Sequence, residues 1–321
     1  MIIPNFPEFV PVSLELKKEL HPHLSLTPDG VSEYTFSNLY LFRNRYQYRV
    51  ARIKDCFVIS GIQPAHAPDS ESAGMSGPGA PGGTVAEAPL PLVPDRAAFF
   101  MTPCAVPEPD VLAELFRTHS RWKGISKTVL EQVKDKLEAS GIGVDVDRDN
   151  FDYLYRRSDL AELAGKKYHK KRNLVSAFLK SWVNHEEIPF TKKNLPDALA
   201  VLDRWREDKG EDGDYRSCRE MLDLWGNFRL RGLLYYIDGK PAGWCLGESI
   251  ARGRMFTIHF EKAIDAYKGI YQFINQSFAA TLPGYYTHIN REQDLGDPGL
   301  RQAKMTYRPS GFVEKYVGRL L

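Results

Sequence analysis

Between residues 230 and 261 the chain writes three strands in succession, and no other stretch restricts its fold so strongly. Branched and aromatic residues crowd 230–237, 242–250 and 255–261, and Asp238-Gly239 between the first two reads as a two-residue hairpin turn. Upstream the apolar spacing is helical, over 167–184, 196–207 and 216–227. Downstream a helix over 270–282 leads to a short strand at 286–290, a polar loop, a helix near 300–306 and a last strand near 312–317. This half is therefore expected to be an α/β lobe whose sheet is mixed but mostly antiparallel and flanked by helices.

At 321 residues the chain exceeds one ordinary domain, so a second lobe precedes the first. Strand-like runs at 56–62 and 97–102 flank residues 63–95, which are rich in Pro, Gly, Ala and Ser and include GMSGPGAPGG. Such a composition buries too little apolar surface to offset the entropy of ordering it, so a flexible insertion in a hairpin connection is expected. Helical spacing over 110–116 and 125–139, stopped by Gly141, closes this lobe, and 151–163 reads as a tie to the next. The expected division is 1–148 and 149–321.

Lys and Arg number 43 against 41 Asp and Glu, so no global field draws the chain to nucleic acid or anionic lipid, and any polyanion must be held locally. The cysteines, Cys56, Cys104, Cys218 and Cys245, are widely spaced and form no C-x-x-C pair. That spacing argues against a metal site or disulfide framework and fits a reducing, cytoplasmic setting. Prolines and charges break the first twenty residues, and no run of about 18 to 20 apolar residues occurs. Neither export nor a transmembrane segment is expected.

Two helices, a three-strand meander, helix, strand, helix and strand is the order of an acyltransferase lobe of the GNAT kind. In that architecture the sheet splays between its fourth and fifth strands, and a thioester or ester donor enters the gap. Five strings carry a closer resemblance: SEYTFSNLYLFR (32–43), GKKYHKKRN (165–173), IHFEKA (258–263), GIYQFIN (269–275) and INREQDLGDPGLRQAKMTYRP (289–309). They resemble an uncharacterised bacterial family grouped with the C-terminal domain of phosphatidylglycerol lysyltransferases. The resemblance implies two tandem GNAT-like lobes, without a tightly bound cofactor. It also implies transfer of an aminoacyl group from aminoacyl-tRNA to an amine or hydroxyl acceptor, lipid headgroups among them. The membrane-spanning region those enzymes usually carry has no counterpart in these residues.

Asn290, Arg291, Glu292 and Asp294 begin where a strand ends and a polar loop opens, the usual place for functional side chains on such frameworks. Glu292 and Asp294 are candidates to hold an amino-acid ammonium. Arg291 or Arg301 would grip a carboxylate or phosphate in a forked geometry, and Lys304, one turn from Arg301, would face the same phosphate. The alternative is an ion-pair network bracing the loop. Alternation along 255–261 puts Thr257, His259 and Glu261 on one face, against a wet cleft, and Phe256, Ile258 and Phe260 on the other. Glu261 or His259 is then the general base, with Glu248 a third candidate, because an amine nucleophile is inert while protonated. A strand histidine also commonly serves a structural role. Tyr307 precedes a Gly-aromatic pair, as in the GNAT signature, and by that resemblance protonates the leaving group or else packs.

Lys167, Lys170, Lys171 and Arg172 interleave with Tyr168 and His169 and can bind phosphates of tRNA or anionic lipid, although a solvated helix face looks the same. Gly269, Tyr271 and Gln272 fall where GNAT enzymes cradle the pyrophosphate of coenzyme A. Tyr271 stands at a small-residue position there and would crowd a diphosphate, which favours aminoacyl-tRNA over acyl-CoA as donor. An acyl-CoA-dependent N-acyltransferase and a non-catalytic binding module are the other two readings. In the first lobe Ser32, Glu33, Tyr34, Asn38 and Arg43 are expected to pack lobe against lobe, with Ser32 or Thr35 as a helix cap.

Overall fold

A computed structural model describes residues 2–64, 95–210 and 213–321, so the expected insertion at 63–95 lies almost wholly outside the described residues. From the first half come β1 (Val10–Pro11), β2 (Arg49–Ile53), β3 (Cys56–Ile62), β4 (Asp95–Met101), β5 (His119–Ser126) and β6 (Ile142–Val146). The second half supplies β7 (Asp152–Arg156), β8 (His185–Pro189), β9 (Arg231–Ile237), β10 (Lys240–Ile250), β11 (Met255–Ala263), β12 (His288–Asn290), β13 (Gly311–Val313) and β14 (Lys315–Leu320).

These strands make two seven-stranded sheets, ordered β1-β2-β3-β4-β5-β14-β6 and β13-β7-β12-β11-β10-β9-β8. Each sheet contains one parallel pair, β4 with β5 and β11 with β12, and next to it an inserted strand. In the second sheet that strand is β7; in the first it is β14, the last strand of the chain. The range 149–321 thus includes a strand, Lys315–Leu320, that hydrogen-bonds into the first sheet. The single strand expected near 312–317 is two, parted at Glu314.

Other expectations are corrected locally. The helix expected over 125–139 runs over Lys127–Ala139, because Ile125 and Ser126 end β5 and the Ser126 hydroxyl caps the helix by accepting from the Val129 N–H at 3.3 Å. The helix expected over 167–184 ends at Ser181, and β8 follows as an edge strand. Residues 151–163 supply β7 and the short helix Arg157–Glu162.

Apolar burial joins the lobes. Val31, Phe36 and Leu39 share one core with Val201, Met221, Trp244 and Phe260, and each such side chain contributes about 1.5–3 kcal/mol when fully buried. Arg43 crosses the same junction to Glu220 at 2.7 Å. At its centre the two inserted strands meet through a fully buried ion pair, Asp152 to Lys315 at 2.8 Å, with Ser32 Oγ donating to the same carboxylate at 2.8 Å. Burial by itself would lower the Lys315 pKa, but Asp152 and Glu33 outweigh it and raise it.

Candidate functional site

β11 and β12 pair only from Met255 opposite His288 to Thr257 opposite Asn290. Past that point β12 ends while β11 continues to Ala263, so the sheet opens into a V. The longer limb carries a bulge: Leu246 faces Phe260 and Gly247 faces Ile258, which leaves His259 without a partner in the ladder. The extra residue reverses the alternation. Phe256 and Ile258 join the core under the helix Ile270–Thr281, whereas Phe260 joins the core shared by the two lobes. His259 and Glu261 therefore do not share the face expected for them, and Thr257 is fully buried.

His259 is clamped between carboxylates, Nε2 to Glu248 Oε1 at 2.9 Å and Nδ1 to Glu292 Oε1 at 2.7 Å. Burial would lower its pKa, but the two acids outweigh burial and raise it to about 10. A ring that keeps both protons at neutral pH is an imidazolium and has no lone pair for a third. The base expected of His259 is thus replaced by a cation that ties the limbs of the V together. Burial pushes Glu248 up, yet its bond to His259 holds it below its ordinary value, so it too is a poor proton acceptor.

Glu261 is different. Asn275 Nδ2 donates to both its oxygens at 3.1 Å, and Arg291 Nη2 lies 3.1 Å from Oε2. Burial raises the Glu261 pKa against the pull of Arg291. Arg291 also donates to Asn275 Oδ1. The pairs Glu261–Arg291 and His259–Glu292 both cross the V.

The loop after β12 is braced from within. Glu292 adopts a left-handed φ of 54°, which costs a non-glycine residue roughly 1–2 kcal/mol. Its N–H donates to Asn290 Oδ1 at 2.7 Å, and its carbonyl accepts from Tyr153 N–H at 3.2 Å. Asn290, expected to bind substrate, is fully buried and donates to Asp152 at 3.1 Å and to the Gly30 carbonyl at 2.9 Å, which ties the lobes together. Lys304 Nζ donates to the carbonyls of Arg291, at 2.7 Å, and of Glu292 and Gln293; burial and then Arg291 lower its pKa to about 8.

Asp294 is wholly buried and accepts from Arg301 at 2.7 and 2.9 Å, Arg148 at 3.2 Å, the Tyr153 hydroxyl at 2.5 Å and the Gly296 N–H at 3.0 Å. Burial would raise its pKa, but these donors hold it far below the usual carboxylate range. The ammonium and phosphate roles expected of Asp294 and Arg301 give way to an internal brace, because a carboxylate so enclosed is stable only when paired.

Tyr307 lies behind Arg291, with Lys171 Nζ 4.0 Å from its ring centre. At the expected diphosphate position, a Cβ on Gly269 would lie 2.9 Å from the Leu174 carbonyl, and the Tyr271 hydroxyl bonds the backbone of Ala263. Gln272 follows in the first turn of the same helix. Three members of the basic cluster are engaged: Lys167 pairs with Asp159 at 2.9 Å, Arg172 caps the Leu163 and Gly165 carbonyls, and Lys171 covers Tyr307. Lys170 is exposed.

A cleft of about 600 Å³ between the lobes collects His259, Glu261, Arg291, Glu292 and Lys304, but none of the other predicted site residues. Its opposite wall is the first lobe, with Arg45, Tyr46, Phe99 and Lys123. Lys123, missed from the sequence, donates to Gln63 Oε1 at 2.9 Å and lies 5.0 Å from the Phe99 ring centre, with no carboxylate paired to it among the described residues. Burial lowers its pKa. It also lines an adjoining recess of about 360 Å³ with Arg45, Arg121 and Arg319, and with Asp147 and Asp149. Recognising β5 would have revealed it, since alternation there sets Trp122 in the core and Arg121 and Lys123 on the other face.

Residues 92–319 match the model of the family described as phosphatidylglycerol lysyltransferase, C-terminal. The chain belongs to that family. Among solved structures, this lysyltransferase-family chain is similar to a conserved Bacteroides thetaiotaomicron protein of unknown function, with a TM-score of 0.78, 26% identity and full coverage of both chains. It is also similar to L-PGS from Bacillus licheniformis, with a TM-score of 0.54 and 13% identity over 100% of this chain and 94% of that one, a likeness of fold alone. An uncharacterised curated protein of Mycoplasmoides gallisepticum is 23% identical over 199 residues, which is 60% of this chain. The chain spans 62% of that relative's length. The fold is a tandem GNAT-like one, and fold and lysyltransferase-family membership together support an acyltransferase-type function. Among the described residues no helix is long and apolar enough to cross a membrane, and no group of three or more His, Cys, Asp and Glu side chains is disposed to hold a metal ion.

Proposed function

We propose that the chain moves an aminoacyl group from aminoacyl-tRNA to an amine or hydroxyl acceptor, with the donor ester at the mouth of the V and Glu261 as the base. The observation that carries this reading is the Glu261–Arg291 pair: a buried carboxylate raised in pKa, facing an inter-lobe cleft. The acceptor N–H or O–H gives its proton to Glu261 as the acceptor atom bonds the ester carbon. The ribose oxygen then leaves with that proton. Glu292, whose Oε1 is held by His259, presents a negative edge to the cleft for the donor's α-ammonium. Lys123, which forms no ion pair among the described residues, has Arg45 and Arg121 beside it and suits an acceptor that carries a phosphate, lipid headgroups among them. Tyr271, bonded across the place where a diphosphate would lie, weighs against acyl-CoA.

Thermal melting tests the donor. A 3′-amide-linked aminoacyl adenosine, a stable mimic of the charged tRNA end, should raise Tm by a few degrees at saturation, and Glu292→Gln should shrink the rise. A shift with coenzyme A and none with the mimic would overturn the assignment.

A further inference from the structure

Cys56 and Cys104 stand far apart in sequence, yet the fold sets them face to face. β3 and β4 pair antiparallel, with Ile62 opposite Ala98 and Ile59 opposite Met101. β4 ends at Met101, and the chain beyond it carries Cys104 back to the start of β3, beside Cys56. A disulfide between them needs their β-carbons roughly 3.5–4.5 Å apart. Both residues line one pocket of about 350 Å³, walled by Ile53, Phe57, Val106 and Val111. Cys104 is exposed and Cys56 half-buried, whereas Cys218 and Cys245 are fully buried.

The two sulfurs are also unequal. The Cys104 thiol bonds Cys56, and backbone groups of Phe57, Cys104 and Ala105 add to it; together they draw the Cys56 pKa below its ordinary value despite burial. Cys104 is pushed up by the same contact and by burial. One activated thiol beside an exposed second that can resolve it is the arrangement found at reversible oxidation sites.

We propose that Cys56 and Cys104 form a thiol-exchange site for small disulfides of the glutathione type, closing to an intramolecular disulfide. In the first step the Cys56 thiolate bonds one sulfur of oxidised glutathione and a glutathione thiolate leaves. In the second, Cys104 loses its proton, its sulfur bonds that of Cys56, and the second glutathione leaves. The protein dithiol gives up two electrons and two protons, and the small disulfide becomes two thiols. Neither cysteine lines the inter-lobe cleft, so the site stands apart from the proposed transfer.

The test uses the reduced full chain, incubated with oxidised glutathione at neutral pH, quenched in acid, alkylated and mapped by mass spectrometry. Cys56 and Cys104 should lose alkylation together and appear in one cross-linked peptide. Dithiothreitol should restore both, with Cys218 and Cys245 alkylated only after unfolding throughout. Cys104→Ser should stop at a glutathione adduct on Cys56, and Cys56→Ser should form its adduct about tenfold more slowly. Wild-type protein that stops at a mixed disulfide, or that leaves Cys104 free to alkylate, overturns the proposal whatever the variants do.

Discussion

Glu261 and Asp294 are both carboxylates facing arginine, and their surroundings move their pKa values in opposite directions. Asp294 meets two guanidinia, a phenol and a backbone N–H, whereas Glu261 meets one guanidinium and one amide. Asp294→Asn should therefore lower stability by about 1–3 kcal/mol in urea unfolding, because charge-assisted bonds are lost from a closed site. The sign of its pH dependence follows from its depressed pKa: the contribution is present above an unfolded pKa of about 3.9 and fades as pH falls. His259 behaves in the reverse sense. Its pKa is raised to about 10, so its contribution is complete below an unfolded pKa of about 6.5 and is lost as pH rises through about 10. Calorimetry between neutral and alkaline pH should show wild-type Tm falling more steeply than that of His259→Gln. The residues themselves were legible in the sequence, but their roles were not. Arg148, Tyr153 and Glu248, which decide between brace and site, lie 146, 141 and 11 positions from the side chains they engage.

The meander β9-β10-β11 was legible because branched residues and an Asp-Gly turn announce it. β5 was not, because its residues HSRWKGIS are mostly polar and only Trp122 and Ile125 are large and apolar. The bulge at His259 left no compositional mark, since alternation continues through it in the sequence while the side chains change sides. It rests on the close approach of β10 and β11, where a Cβ on Gly247 would lie 1.9 Å from the Thr257 carbonyl oxygen. Gly247→Ala should push the strands apart and cost on the order of 1–3 kcal/mol in urea unfolding. It should also weaken binding of the aminoacyl adenosine mimic by displacing both pairs that cross the V.

Two lobes were legible from length and element order, but the placement of β14 was not, because a strand's pattern does not say which sheet it joins. That placement ties the lobes together: β14 completes the first sheet, and the cleft walls share a core. Residues 1–148 expressed alone should lack a cooperative melt by circular dichroism, since the expressed piece misses the strand between β5 and β6. A sharp independent transition would contradict this. The central claim, proton transfer through Glu261 at the open end of the sheet, is tested most directly by single-turnover transfer. The assay would follow label from total aminoacyl-tRNA into phosphatidylglycerol vesicles or a free-amine pool. Wild-type protein should move the label, and Glu261→Gln should do so about 10² to 10⁴ times more slowly, while mimic binding, read alongside, should fall far less than the rate. Equal rates in the two proteins, or label that stays on tRNA with the wild type, would contradict it.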